Sequence, residues 1–372
     1  MHAAHVHPSE LVTSRISRSS SVIVLGGGAV GMCVALALQE RNFPVTVADP
    51  GDVRRQASWG NAGRIAVELN EPLASLSTLR SLPGALFARG GPAALPVRSI
   101  ATWLPFGLRL LAASTPTRFS QGKAALGDLL SHALPAWRRR LGTIGASDLL
   151  TEAGHYSVWE TSRSAARGRD AWLRNSGEAT IVELNASELT RLRALIGVPV
   201  AGTLGFRGTA SISDLTDLHA RLRGAFLSRG GKISHSRLRI EEAERAGDVV
   251  VVAAGIGSAT LLGAVGHTVP MIAERGYHID QAGADWPGDI PPILFEDRSV
   301  VVTRFRSGLR ATSFTEFSSE NAPPDARKWG RLRQHARELA LPFDHRATEW
   351  MGSRPTLPDY LPAFGRSQRR PA

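Results

Sequence analysis

Near the amino terminus, Gly26-Gly27-Gly28-Ala29-Val30-Gly31 has the residue types and spacing needed to hold a pyrophosphate. In a GxGxxG pattern the first glycine allows a tight turn, the second lets backbone approach a phosphate, and the third lets a helix pack closely on its strand. The N–H groups from Gly28 through Val30 then open a helix and meet the phosphate charge. Asp49, at the end of the next apolar run, is placed to accept hydrogen bonds from an adenosine ribose. No Ser-His-Asp set and no paired carboxylates accompany these residues, and no Cys or His cluster has metal-ligand spacing, so no metal is expected.

The elements that must position this motif are readable around it. Val22-Ile23-Val24-Leu25 is a short apolar run of the kind buried on both faces of a parallel sheet. Ala29 to Glu40 reads as a helix and Phe43 to Ala48 as a second strand, which completes a βαβ unit. Asp248 to Gly255 repeats the theme, a run of valines entering a glycine turn at Ala254-Gly255. Residues 72–145 are rich in Leu and Ala with interrupting prolines, the pattern of several short helices. Strands are expected at 155–160 and 181–184. A helix capped by Asn185 is expected over 186–195, and another over 212–228, capped by Ser213 or Asp214 and ended by Gly230-Gly231. One strand at Ile233 and a polar link fill the stretch before Asp248, and 292–295, 299–304 and 309–317 read as antiparallel strands.

A chain of 372 residues suits two domains. The expected architecture is α/β: a discontinuous Rossmann-like cofactor domain from 21–90, 211–262 and 350–372, and an α+β substrate domain with an antiparallel sheet from 91–210 and 263–349. Residues 1–20, His- and Ser-rich without an apolar centre, read as a disordered leader. The single Cys33 rules out an internal disulfide and fits a reducing, cytoplasmic compartment. The formal charge is +11, almost all of it arginine, since lysine occurs only at 123, 232 and 328. The basic residues are scattered and not interleaved with aromatics, which points away from nucleic acid and leaves two readings open, contact with anionic lipid headgroups or merely an arginine-rich proteome. The most apolar stretch, Trp103 to Leu111, contains Pro105 and Arg109 and falls short of the roughly eighteen apolar residues of a span.

Ala57-Ser58-Trp59-Gly60-Asn61-Ala62-Gly63 resembles the flavin-facing loop of the D-amino-acid oxidase and dehydrogenase superfamily. Val249 to Ser258, Arg275-Gly276-Tyr277-His278 and Glu349-Trp350-Met351-Gly352-Ser353-Arg354-Pro355 match further family segments in order. The resemblance implies FAD, held by Gly26, Gly28, Ala29, Val30, Gly31, Asp49, Ser58, Trp59, Gly60, Asn61, Ala62, Gly63, Ala254 and Gly255. It also implies oxidative deamination of a D-amino acid or cyclic imino acid by hydride transfer from Cα, with Arg354 clamping the substrate carboxylate. Tyr277 is then expected to share the carboxylate and His278 to lie near the amine. As in the dehydrogenase branch, electrons would pass to a respiratory acceptor, with peripheral contact at the inner face of the plasma membrane.

The resemblance runs from about Val22 to Arg366, with two departures. The family carries a longer β-meander where this chain has 233–248, and it continues past Phe364-Gly365-Arg366 through a glycine turn and a final helix. Two other readings therefore stay open: a catalytically weak relative with loose or no FAD binding, and an NAD-linked dehydrogenase.

Overall fold

Four-residue runs with no polar face are stable only where both sides of a sheet are covered, and the two valine-rich runs sit in such a place. The computed structural model describes residues 17–367; the remainder of the leader and the last five residues lie outside them. Strands β1 (Val22–Leu25), β2 (Val45–Ala48), β10 (Lys232–Ser234) and β11 (Val249–Val252) form a parallel sheet in the order β10-β2-β1-β11. On one side, helix α1 (Ala29–Gln39) packs with α8 (Leu215–Ser228), bringing Met32, Leu36, Leu222 and Phe226 onto Val24 and Val47. On the other, α9 (Ile240–Ala246) and α10 (Ser258–Ala264) cover Ile23 and Leu25. Each such side chain, taken from water into the core, contributes about 1.5–3 kcal/mol.

A nine-stranded mixed sheet forms the second body. Its path runs β16 (Thr348–Thr356), β12 (Ile272–Ala282), β15 (Gly308–Ser318), β14 (Val300–Phe305), β13 (Ile293–Phe295), β6 (His155–Trp159), β8 (Gly202–Arg207) and β7 (Thr180–Val182), with β4 (Ala93–Ala94) beside β15. Helix α11 (Ala326–Glu338) covers one face and buries Leu332 and Ala336 against Tyr277 and Ile279. Helix α6 (Ser162–Arg174) packs on β6 and β8, and α7 (Ala186–Leu195) begins with the expected cap, in which Asn185 and Glu188 bond each other's backbone. A small sheet of β3 (Arg64–Ile65), β9 (Ala210–Ile212) and β5 (Leu150–Thr151) joins the two bodies.

Some expectations change in detail. The polar link before Asp248 is the helix α9, started by Glu242, which accepts from Arg239 N–H; only Ile240 and Ala243 are buried, too few to show as periodicity. Residues 210–212 are strand, and α8 starts behind the cap Asp214. Between 72 and 145 stand α2 (Leu76–Ala85), α3 (Ile100–Ala113), α4 (Pro116–Ser131) and α5 (Ala133–Thr143); Pro83 and Pro105 lie inside helices rather than ending them. Helix α5, grouped by sequence order with the substrate domain, buries Leu134 and Leu141 in the core of the parallel sheet. Residues 350–356, grouped with the cofactor domain, pair as β16 with β12.

Candidate active site

The glycine motif does three different jobs. Gly26 has φ +109°, and a Cβ there would meet Ala253 O at 2.5 Å, so the turn into the motif admits no side chain. A Cβ on Gly31 would strike Gly26 O at 1.9 Å, which is the close helix–strand packing the motif predicts. Gly28 faces open space bounded only by Ser58 Oγ and Gln56 Oε1, 3.7 and 3.9 Å from where its Cβ would be. The N-cap of helix α1 is Gly28, which has no side chain, and its first turn has no acidic residue; Ala29 N is met by Ser58 Oγ, and the N–H groups beside it are left to bind charge. The turn at Ala254-Gly255 lies against Gly26, with Gly255 in the left-handed region.

Asp49 is buried at the end of β2. Its Oδ2 accepts from Gly27 N (2.7 Å) and its Oδ1 from Gly51 N (2.8 Å), leaving lone pairs for a ribose. Gln56 Oε1 is buried without a partner beside the cradle, an acceptor waiting for a ligand hydroxyl. An ADP moiety fits this chemistry: a helix end with N–H groups left open, an open glycine, a fixed carboxylate and an orphaned acceptor. Gly28 and Val30 would hold the phosphates, with Ala29 N already met by Ser58 Oγ, and Asp49 with Gln56 would hold the ribose.

The loop from Ser58 to Gly63 is fastened at both ends. Ser58 Oγ accepts from Ala29 N (3.3 Å) and bonds His219 Nε2 (3.2 Å). Burial, then Arg223, pushes the His219 pKa down to about 4, so the ring is neutral at pH 7. The carbonyls of the loop are taken up by the large sheet. His278 Nδ1 donates to Gly60 O (2.8 Å), Arg310 to Asn61 O (2.7 Å) and Trp59 O (3.3 Å), and Thr303 to Ala62 O (2.9 Å). Asp280 holds both donors in place, accepting twice from Arg310 at 2.8 Å and lying 3.1 Å from His278 Nε2. Burial raises the Asp280 carboxyl pKa, but His278 and Arg310 outweigh it and hold it at about 2. For His278, burial lowers the pKa against the pull of Asp280.

Strand register sets out the rest of the site as three cross-strand pairs on one sheet face: His278 with Trp350, Gly276 with Gly352, and Glu274 with Arg354. The imidazole and indole stack at 4.8 Å, and the indole covers Gly60 and Gly352, where a Cβ would meet it at 2.4 and 2.0 Å. Arg354 Nη2 lies 2.7 Å from buried Glu274 and 3.5 Å from Thr315 Oγ1. Its side chain stays 53% exposed, and among the described residues no acceptor bonds Nε or Nη1, so two edges of the guanidinium face outward. Thr356 Oγ1 also donates to Glu274, and burial with Glu274 raises the pKa of the Tyr360 hydroxyl.

Tyr277 is not brought to this face. It is fully buried on the α11 side, where its hydroxyl lies among Arg275, Glu316 and the N–H of Asp325. His278 does reach the site, but its two nitrogens are engaged by the loop and by Asp280. Sequence reading missed Arg310, Asp280, Thr303, Gln56 and His219. The one signal available was the two-residue spacing of His278 and Asp280, which puts both on one side of a strand. Among the described residues there is no cluster able to hold a metal.

The geometry agrees with what comparison with known proteins finds. The family model described as FAD dependent oxidoreductase matches residues 21–371. A D-amino-acid oxidase from Bradyrhizobium diazoefficiens is 30% identical over 93% of this chain and 87% of its own length. A D-amino acid dehydrogenase from Cereibacter sphaeroides is 24% identical over 93% and 84%. The fold matches that of glycine oxidase from Geobacillus kaustophilus, with a TM-score of 0.64 at 19% identity over 95% of this chain and 87% of that one. It also matches L-amino acid deaminase from Proteus vulgaris, with a TM-score of 0.62 at 15% identity over 96% and 88%. With the cradle, the anchored loop and the outward-facing arginine in place, the chain belongs to the FAD dependent oxidoreductase family.

Proposed function

We propose that the chain oxidises D-amino acids to imino acids, which water converts to 2-oxo acids and ammonia, or oxidises cyclic imino acids to cyclic imines, whose nitrogen stays in the product. The observation that carries this reading is the row of pairs on one sheet face, ending in Arg354 with two guanidinium edges open. The relatives called D-amino-acid oxidase and D-amino acid dehydrogenase support the choice of the D series.

Bound FAD supplies the hydride acceptor. Arg354 receives the substrate carboxylate through its fork, and Glu274 keeps the guanidinium from turning away. The Ser58–Gly63 loop, its carbonyls committed to the sheet, is free to offer N–H groups to the flavin edge, and Ala254-Gly255 closes the adenine side. With the amine bound neutral, no strong base is needed, so alignment and exclusion of water are the chain's contribution. His278 acts here as a positioning residue for the loop. The electron acceptor we infer is a respiratory carrier, met by a cytoplasmic protein at the inner membrane face.

The test is anaerobic. FAD-loaded protein should bleach with D-amino acids and not with L-amino acids, glycine or added NAD. Bleaching by L-amino acids or glycine instead would move the substrate class, and dependence on NAD would end the flavin reading. Arg354→Lys should raise KM roughly tenfold to a hundredfold, the worth of one charged hydrogen bond, with flavin retained. Oxygen uptake measured against dye reduction distinguishes an oxidase from a dehydrogenase.

A further inference from the structure

Helix α3 is anchored by one face and leaves an apolar one outside. Phe106 and Ala113 are buried, with the Phe106 ring 5.4 Å from Phe317 of the large sheet, and Trp103 Nε1 donates to Pro96 O (2.9 Å) at the helix start. On the opposite side stand Ile100, Leu104, Leu108 and Leu111, spaced by four, four and three residues and therefore in one stripe, with Val97 just before them. Their exposures are 47, 45, 62 and 53%, and 82% for Val97. Large apolar side chains lined up in this way mark a contact surface, whereas scattered ones do not.

The charge of the segment that carries the stripe says what it contacts. Between residues 72 and 127 the chain has no Asp or Glu, while Arg80, Arg89, Arg98, Arg109, Arg118 and Lys123 all lie there. Among the described residues only Lys123 of these has a carboxylate partner, Glu71; Arg89, Arg98 and Arg118 bond backbone carbonyls and keep their charge uncompensated. A second copy of the chain would bring this carboxylate-free, cationic segment against itself. An anionic bilayer offers both things the surface lacks, phosphate charge for the arginines and an acyl boundary for the leucines.

We propose that the outer face of α3, from Val97 to Leu111, inserts into the headgroup–acyl boundary of an anionic lipid bilayer while Arg98 and Arg109 bind lipid phosphates. This gives a place to the membrane contact proposed above and rests on that reading for its use. No helix among the described residues is long and apolar enough to cross a membrane, so the docking is interfacial.

The experiment uses the FAD-loaded full chain and sedimentation with vesicles of phosphatidylglycerol or of phosphatidylcholine alone. The wild type should sediment with the first and stay in solution with the second. The pair Leu104→Glu and Leu108→Glu should lose about tenfold or more of the partitioning, as should Arg98→Ser with Arg109→Ser. Both pairs should keep flavin and turnover with a soluble dye. Equal binding by wild type and both variants, or no binding by the wild type, overturns the proposal. So does a wild type that dimerises without lipid while the leucine variant is monomeric. Dye turnover is read separately: vesicle binding without turnover leaves the docking face standing and defeats the proposed reaction.

Discussion

On the side of β12 that meets α11, Arg275, Tyr277, Glu316 and Lys328 are buried together, and their hydrogen bonds end on one another, on Asp325, on Ser318 Oγ or on the carbonyls of Ala322 and Pro323. On the side that meets the Trp59 to Gly63 turn, His278, Asp280 and Arg310 are arranged just as closely. Their outer bonds, however, end on loop carbonyls. The chemistry is alike and the termini differ. A buried charge network that closes on itself holds the sheet to its helix, whereas one that ends on a loop fixes where that loop's N–H groups point. Damage to the first should appear as lost stability, and damage to the second as lost flavin.

The largest effect is expected on the closed side. Glu316→Gln leaves Arg275 and Lys328 buried beside a neutral amide, and breaking a buried ionic set by removing one partner costs about 3–5 kcal/mol. A urea denaturation midpoint checks this. Flavin affinity should fall only as far as unfolding carries it, and selective loss of flavin from protein of unchanged midpoint would erase the contrast between the two faces.

Acid should reach the loop's other anchor next. The unfolded chain titrates histidine near pH 6.5, while buried His219, bonded to Ser58, is held at about 4. The neutral ring therefore contributes stability that is complete above pH 6.5 and declines as pH falls toward 4, by on the order of 3 kcal/mol. Asp280, held at about 2, stays ionised throughout that window. Acid should thus loosen the Ser58 end of the loop before the Gly60 end. Urea midpoints at pH 7 and pH 5 give the loss that His219 shares with His155, which burial holds at about 2, and His219→Gln should remove its own share of the difference.

Arg310→Met removes the donor to Asn61 O and Trp59 O while keeping an apolar stem. The expected result is a flavin Kd weaker by roughly tenfold to a hundredfold, with a smaller shift in urea midpoint than Glu316→Gln produces. Flavin titration followed by fluorescence reads it. Unchanged affinity would show that the loop holds its shape without the sheet.

The contrast also explains what was legible beforehand. Gly26 and Gly31 were readable because a Cβ at either would collide with backbone, a constraint the residue type itself announces. The strands β1 and β11 were readable because four successive apolar residues suit few other places. Arg310 was not, since its role follows from standing opposite Asp280 in the β12–β15 register, a pairing across thirty positions that local pattern does not show. Trp350 was marked only by family resemblance, and its seat over Gly60 and Gly352 comes from the β12–β16 register. Tyr277 was placed beside the substrate by family resemblance, yet it adjoins His278 in a strand whose successive residues point to opposite faces, and that alternation sends it to α11.

Tyr277→Phe is the smallest and most discriminating substitution. It removes one hydroxyl that accepts from Arg275 (3.1 Å) and from Asp325 N (3.2 Å) and donates to Glu316 (3.2 Å), while the ring stays packed edge-on against Trp329. Arg275 keeps its bonds to Ala322 O and Pro323 O, and Glu316 keeps Lys328, so neither charge is stranded. The loss should be about 1 kcal/mol, that of a single buried hydrogen-bonding group, seen as a lower urea midpoint. KM and kcat for D-amino acids should not move, because the hydroxyl lies on the far side of the sheet from Arg354. A rise in KM at unchanged stability would mean that the hydroxyl reaches the substrate carboxylate, and that the two faces of β12 are not separated as their hydrogen bonds indicate.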